Sequence, residues 1–150
     1  MNTFEHIQNQ WNAHLERPKS NPLVLDNLDN IVLENEFCIF SQDSGNILPG
    51  AGLILPRVLR TTVFDLTRDE WNATFELLLE VKALLDCTLE PQGYNVGWNV
   101  GPVGGQHIPQ AHLHVIPRFA DEPYAGRGIR YWLKQESNRR THESQHSRTP

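Results

Sequence analysis

An α+β fold, with an antiparallel sheet covered on one face by a long helix, is what this 150-residue sequence predicts. Three features predict it. Short apolar runs alternate with clusters of Asn, Asp, Gly and Pro, the punctuation of a strand meander. Thr67 stands three residues before Glu70 at the head of an apolar-periodic stretch, the spacing of a capping box. Finally, Gln110-Ala111-His112-Leu113-His114-Val115-Ile116-Pro117-Arg118 alternates polar and apolar side chains as a half-buried strand does.

Phe4, Ile7, Trp11 and Leu15 recur at helical spacing across residues 3–16, so the chain opens with an amphipathic helix that buries one stripe and ends before Pro18. The runs Leu23-Val24-Leu25, Ile31-Val32-Leu33, Phe37-Cys38-Ile39-Phe40 and Leu53-Ile54-Leu55 read as strands, with a glycine-bearing loop at 46–52 between the last two. The capped helix carries Trp71, Phe75, Leu78, Leu79, Lys82 and Leu85 at its period, runs to about residues 86–88 and stops before Pro91. Residues 93–100 alternate as a strand, a glycine-rich bend occupies 101–105, and the histidine-bearing strand closes the core. Ile129–Leu133 forms a short helix or strand. Residues 1–134 thus make one domain, and the almost wholly polar stretch 135–150 is expected to be a disordered tail.

A 39% hydrophobic content without any long apolar run fits a soluble globular class and gives no bilayer-spanning segment. The opening Met-Asn-Thr-Phe-Glu-His lacks a basic patch followed by an apolar core, so no signal peptide is expected and the location reads as cytoplasmic. A net charge of −5 offers no general attraction to nucleic-acid backbones. Cys38 and Cys87, in separate apolar contexts without CxxC spacing, read as buried reduced thiols.

Chemistry concentrates on the last strand. Alternate strand residues share a face about 6.5–7 Å apart, so Gln110, His112 and His114 point one way while Ala111, Leu113 and Val115 enter the core. A neutral imidazole attacks phosphorus, and a neighbouring one can hydrogen-bond phosphoryl oxygens or protonate a leaving group. An unperturbed pKa of about 6.5 lets one ring be neutral beside a partly protonated second. Just upstream, the turn from Gly101 to Gln106 offers converging backbone N–H groups as an anion nest.

Gly93-Tyr94-Asn95-Val96-Gly97-Trp98-Asn99, then Gly104-Gly105-Gln106, then the run from Gln110 to Arg118 resemble the active-site region of the histidine triad (HIT) superfamily of nucleotide hydrolases and transferases. The likeness extends back through Leu48-Pro49-Gly50, Leu53-Ile54-Leu55-Pro56 and Phe64-Asp65-Leu66-Thr67, covering a core of about 30–118. It implies a HIT-like fold of about five antiparallel strands and a homodimer built on the capped helix and the strand after it, with Tyr94 and Trp98 at the interface. It further implies that His112 attacks the α-phosphorus to form a covalent nucleotidyl-histidine, and that His114 contacts the phosphate and leaving group. Asn99, Gly105 and Gln106 would line the phosphate site, Asp43 the ribose hydroxyls, and Phe37, Ile39 and Leu53 the base. No metal or other cofactor is implied.

The departures from that pattern are specific. Gln110 stands where the first triad histidine belongs, Ala51 occupies a position that is often histidine, and His107 replaces a usual Ser or Thr. His107 and Gln110 are therefore taken as substrate-site residues of altered chemistry. The main-chain carbonyl of Gln110 remains available to orient His112, so a working but slow or specialised hydrolase of a dinucleoside polyphosphate, nucleoside phosphoramidate or similar conjugate is expected. Two other readings stand beside it: a non-catalytic nucleotide sensor, and a metal protein using the HxH pair, which would need further ligands from His107 or a carboxylate.

Overall fold

Thr67 accepts a hydrogen bond from the Glu70 N–H at 3.2 Å, and the Glu70 carboxylate accepts one from the Thr67 N–H at 2.8 Å, so the capping box forms as its spacing predicts. It opens the main helix of the computed structural model, which describes residues 2–16, 30–42 and 47–140. In order the elements are α1 (Thr3–Leu15), β1 (Ile31–Glu34), β2 (Cys38–Gln42), β3 (Gly52–Pro56), a 3-10 turn (Val63–Asp65), α2 (Arg68–Leu89), β4 (Gly93–Trp98), β5 (Leu113–Arg118), α3 (Ile129–Leu133) and a second 3-10 turn (Glu136–Asn138). The strands form one five-stranded antiparallel sheet, as expected, and its order is β1-β2-β3-β5-β4, with β5 between β3 and β4. The run 23–25 and residues 141–150 of the tail lie outside the described residues.

Helix α2 lies across β2 and β3, and the core forms between them from Cys38, Phe40, Ile54, Ala73, Leu77, Val81, Leu85, Leu113 and Val115. Asn35 fastens the β1–β2 turn to this layer. Its Oδ1 accepts the N–H groups of Phe37 and Cys38, and its Nδ2 donates to the carbonyl of Ala73 at 2.8 Å. The helix ends at Leu89, where Glu90 turns into the left-handed region ahead of Pro91.

The buried face of α2 differs from the stripe the apolar residues predict. Glu70, Ala73, Thr74, Leu77, Val81 and Leu85 are buried, whereas Trp71, Phe75 and Leu79 are each more than half exposed. The buried face carries two polar residues because each finds a partner there. Thr74 Oγ1 donates to the Glu70 carbonyl and sits 3.4 Å from Cys38 Sγ, and Glu70 pairs with Arg60. Cys87 is exposed on the outer side of this helix, against the buried position expected, while Cys38 is fully buried. Helix α1 buries only Trp11 of its expected stripe; Phe4 and Leu15 are about half exposed.

Candidate active site

The register pairs Gly97 of β4 and Leu53 of β3 with His114 of β5, so these three share the face of the sheet opposite α2. Ala111, Leu113 and Val115 point into the core as expected. His112 lies one residue before β5 begins, 8% exposed, with its ring centroid 4.9 Å from that of His114 in an edge-to-face arrangement. Its Nδ1 sits 2.7 Å from the carbonyl oxygen of Gln110. That carbonyl can only accept, so Nδ1 carries the proton and Nε2 keeps its lone pair, with no partner among the described residues.

Burial is the largest influence on both rings and pushes both below the usual histidine value. The Gln110 carbonyl opposes this for His112, whereas a charge on His107 pushes His112 the same way as burial, and charges on His112 and His107 do so for His114. Below the unfolded histidine value of about 6.5 the unfolded chain therefore binds more protons than the folded one, and stability falls as pH drops from there. Urea denaturation is expected to show this loss as pH falls below about 6.5, and the His112→Gln/His114→Gln double variant should show a shallower decline. An identical slope in parent and variant would place the sensitivity elsewhere.

The turn at 101–106 does not present the expected anion nest. The N–H groups of Gly104 and Gln106 donate to the Gly101 carbonyl, that of Gly105 donates to Pro102, and the Gly101 N–H is taken by Gln106 Oε1. Four donors are thus consumed by the turn itself. Gln106, expected to line the phosphate site, is fully buried, and its Nε2 donates to the carbonyls of Thr61 and Ile108 at 2.7 and 2.9 Å. It braces the turn against the segment before α2. Gly104 is required for space, since a Cβ there would fall 2.2 Å from the carbonyl oxygen of Val100.

Gln110 is also fully buried, so what it offers the site is its main-chain carbonyl rather than a surface for substrate. Asn99 is exposed at the end of β4 and donates to the Gly105 carbonyl at 3.4 Å. His107 is exposed and electrostatically coupled to both site histidines. Asp43 lies outside the described residues. A cleft of about 250 Å³ is lined by His114, Asn99, Asn95, Gly97, Ile116 and Ile129.

Two bracing devices hold the site, of which the Arg60 pair escapes the sequence. Arg60 forms a forked ion pair with Glu70 at 3.0–3.1 Å, and its carbonyl accepts the Ala111 N–H at 2.6 Å, directly before His112. Arg118, at the end of β5, bonds Glu122 and Asn95 and donates to the carbonyls of Tyr124 and Arg127, which folds the following segment back so that Ile129 covers Gly97 beside His114. Arg118 thus anchors the strand end, in keeping with its position there.

The five-stranded antiparallel sheet with its helices is the α+β fold of HIT-family structures, and a HIT domain matches residues 25–121. The chain belongs to the HIT family. An uncharacterized HIT-like protein of Mycoplasma genitalium is 27% identical over 111 residues, covering 74% of this chain and 76% of that protein. The bis(5'-adenosyl)-triphosphatase of Saccharomyces cerevisiae is 38% identical over 76 residues, and the asymmetrical bis(5'-nucleosyl)-tetraphosphatase of Schizosaccharomyces pombe 32% over 72. Those matches cover 49% and 48% of this chain but span only 36% and 40% of the two yeast proteins. Among solved structures, a HIT family protein from Bacillus anthracis superposes with a TM-score of 0.58 at 27% identity, covering 61% of this chain and 65% of that one. Among the described residues no helix is long and apolar enough to cross a membrane, and no three His, Cys, Asp or Glu side chains cluster as metal ligands.

Proposed function

We propose that the protein is a nucleotide hydrolase that transfers a nucleotidyl group from a dinucleoside polyphosphate, nucleoside phosphoramidate or similar conjugate to water through His112. The observation that carries this reading is the 2.7 Å contact between His112 Nδ1 and the Gln110 carbonyl, which fixes the tautomer whose Nε2 is a nucleophile. Nε2 forms an N–P bond to the α-phosphorus as the bond to the leaving group breaks, and water then cleaves the N–P bond, freeing a nucleoside monophosphate and the ring. His114, 4.9 Å away ring to ring, is placed to hydrogen-bond the phosphoryl oxygens. The partial likeness to the two yeast phosphohydrolases supports the substrate class.

Brief incubation with diadenosine tetraphosphate or adenosine phosphoramidate, an alkaline quench and intact-mass measurement are expected to reveal an adenylyl adduct on the parent chain. Absence of both adduct and product would overturn the reading. It would favour instead a nucleotide sensor, the reading that the fully buried Gln110, at the place of the family's first triad histidine, otherwise supports.

A homodimer belongs to the same proposal. Trp71, Phe75 and Leu79 form an exposed apolar stripe on α2, and Trp71 stacks on Trp98 of β4 with ring centroids 6.4 Å apart. Light scattering is expected to give twice the chain mass of 17.2 kDa, and Phe75→Glu to give the monomer. A monomeric parent at micromolar concentration would end this part of the proposal.

A further inference from the structure

Strand β5 lies between β3 and β4, so the open face beside His114 has two flanks. On the β3 side stands the apolar Leu53. On the β4 side the cleft at His114 adjoins a second, larger one of about 650 Å³, with Asn95, Val96 and Ile129 lining both. The charged side chains lining the larger cleft are Arg130 and Lys134, with no carboxylate among the lining residues, on a chain of net charge −5. Arg57, Arg60, Lys82, Arg118 and Arg139 are each paired with a carboxylate, whereas Arg130 and Lys134, like Arg68 and Arg127, form no ion pair with a described residue. Tyr94 and Tyr131 add aromatic wall to the same cleft.

We propose that this second cleft is a leaving-group subsite that holds the distal phosphates of a polyphosphate substrate on Arg130 and Lys134 while His112 attacks at the near end. The proposal rests on the hydrolase reading. Two unpaired cations over a contiguous cleft lower the energy of a polyanion and do nothing for a leaving group without phosphate, so the subsite sets preference by phosphate number. The cleft exists because of the fold: Arg118 gathers the carbonyls of Tyr124 and Arg127, and Arg127 in turn lies 4.9 Å from the ring centres of both Tyr124 and Tyr131, fixing the segment that carries α3.

The test compares diadenosine tetraphosphate with the p-nitrophenyl ester of adenosine monophosphate, which donates the same adenylyl group but has no distal phosphate. The Arg130→Ala/Lys134→Ala double variant changes exposed side chains, so folding is not at stake. It is expected to raise KM for the tetraphosphate about tenfold more than KM for the ester. Equal changes for both substrates, or none, would overturn the subsite. If the parent turns over neither substrate, the hydrolase reading fails, and calorimetric titration with inorganic tripolyphosphate decides the subsite alone. Binding weakened about tenfold in the double variant upholds it; equal binding, or none to the parent, removes it.

Discussion

His112→Ala is expected to lower turnover of diadenosine tetraphosphate by about 10⁴-fold or more, the scale of losing a covalent nucleophile, with no adenylyl adduct. The same change removes one hydrogen bond worth about 1 kcal/mol, so the midpoint of thermal unfolding should move by about 2–4 °C. That contrast separates loss of chemistry from loss of fold. His114→Ala, which removes a phosphate contact and keeps the nucleophile, should cost about 10²–10³-fold. Retention of more than a hundredth of parental turnover by His112→Ala would mean that the phosphorus is attacked by something other than this ring. The acid limb of kcat/KM should fall below about pH 6.5, because burial keeps the His112 imidazole neutral to lower pH than a free histidine. A limb at or above the ordinary histidine value would contradict the buried, neutral nucleophile.

The strand order's raw material and the histidine pair were readable because both depend on local pattern. Alternation placed Leu113 and Val115 in the core and His114 on the open face, and the Thr67–Glu70 spacing marked the start of α2. What failed did so for a common reason. Trp71, Phe75 and Leu79 read as core or interface by their chemistry, but α2 has two apolar faces, and the sheet took the one containing Glu70 and Thr74. Periodicity cannot choose between them, since the choice was made by Arg60 and Cys38, whose positions beside the helix are set by tertiary structure. The turn at 101–106 failed similarly. Its glycines advertise free N–H donors, and whether those point outward or close on their own carbonyls depends on Gln106 folding inward to Thr61. Residues at the same place in a binding motif can therefore serve as braces, with no change in sequence to say so.

Glu70→Ala is expected to be the most destabilising single change outside the apolar core. The carboxylate is 2% exposed, and its burial, which pushes the group up, is outweighed by the bonds from Arg60 and Thr67, which hold it below the usual carboxylate range. Removing it strands the Arg60 guanidinium and opens the capping box at once. Breaking a buried pair costs about 3–5 kcal/mol, and the low end applies here because Arg60 keeps some access to water. A loss of about 3 kcal/mol corresponds to about 6–12 °C in Tm for a chain of this size. The consequence should reach the site. Arg60 presents its carbonyl to the Ala111 N–H, and Thr61, the next residue, presents its carbonyl to Gln106, so one ion pair holds both the backbone before His112 and the turn above it. Below the melting range, Glu70→Ala is therefore expected to reduce kcat more than it raises KM, and Glu70→Gln, which can still cap the helix through its side-chain oxygen, to recover part of the stability but less of the turnover. If kcat of the folded Glu70→Ala protein matched the parent, the pair would serve the fold alone, and the positioning of His112 would have to come from the Gln110 carbonyl and β5 themselves.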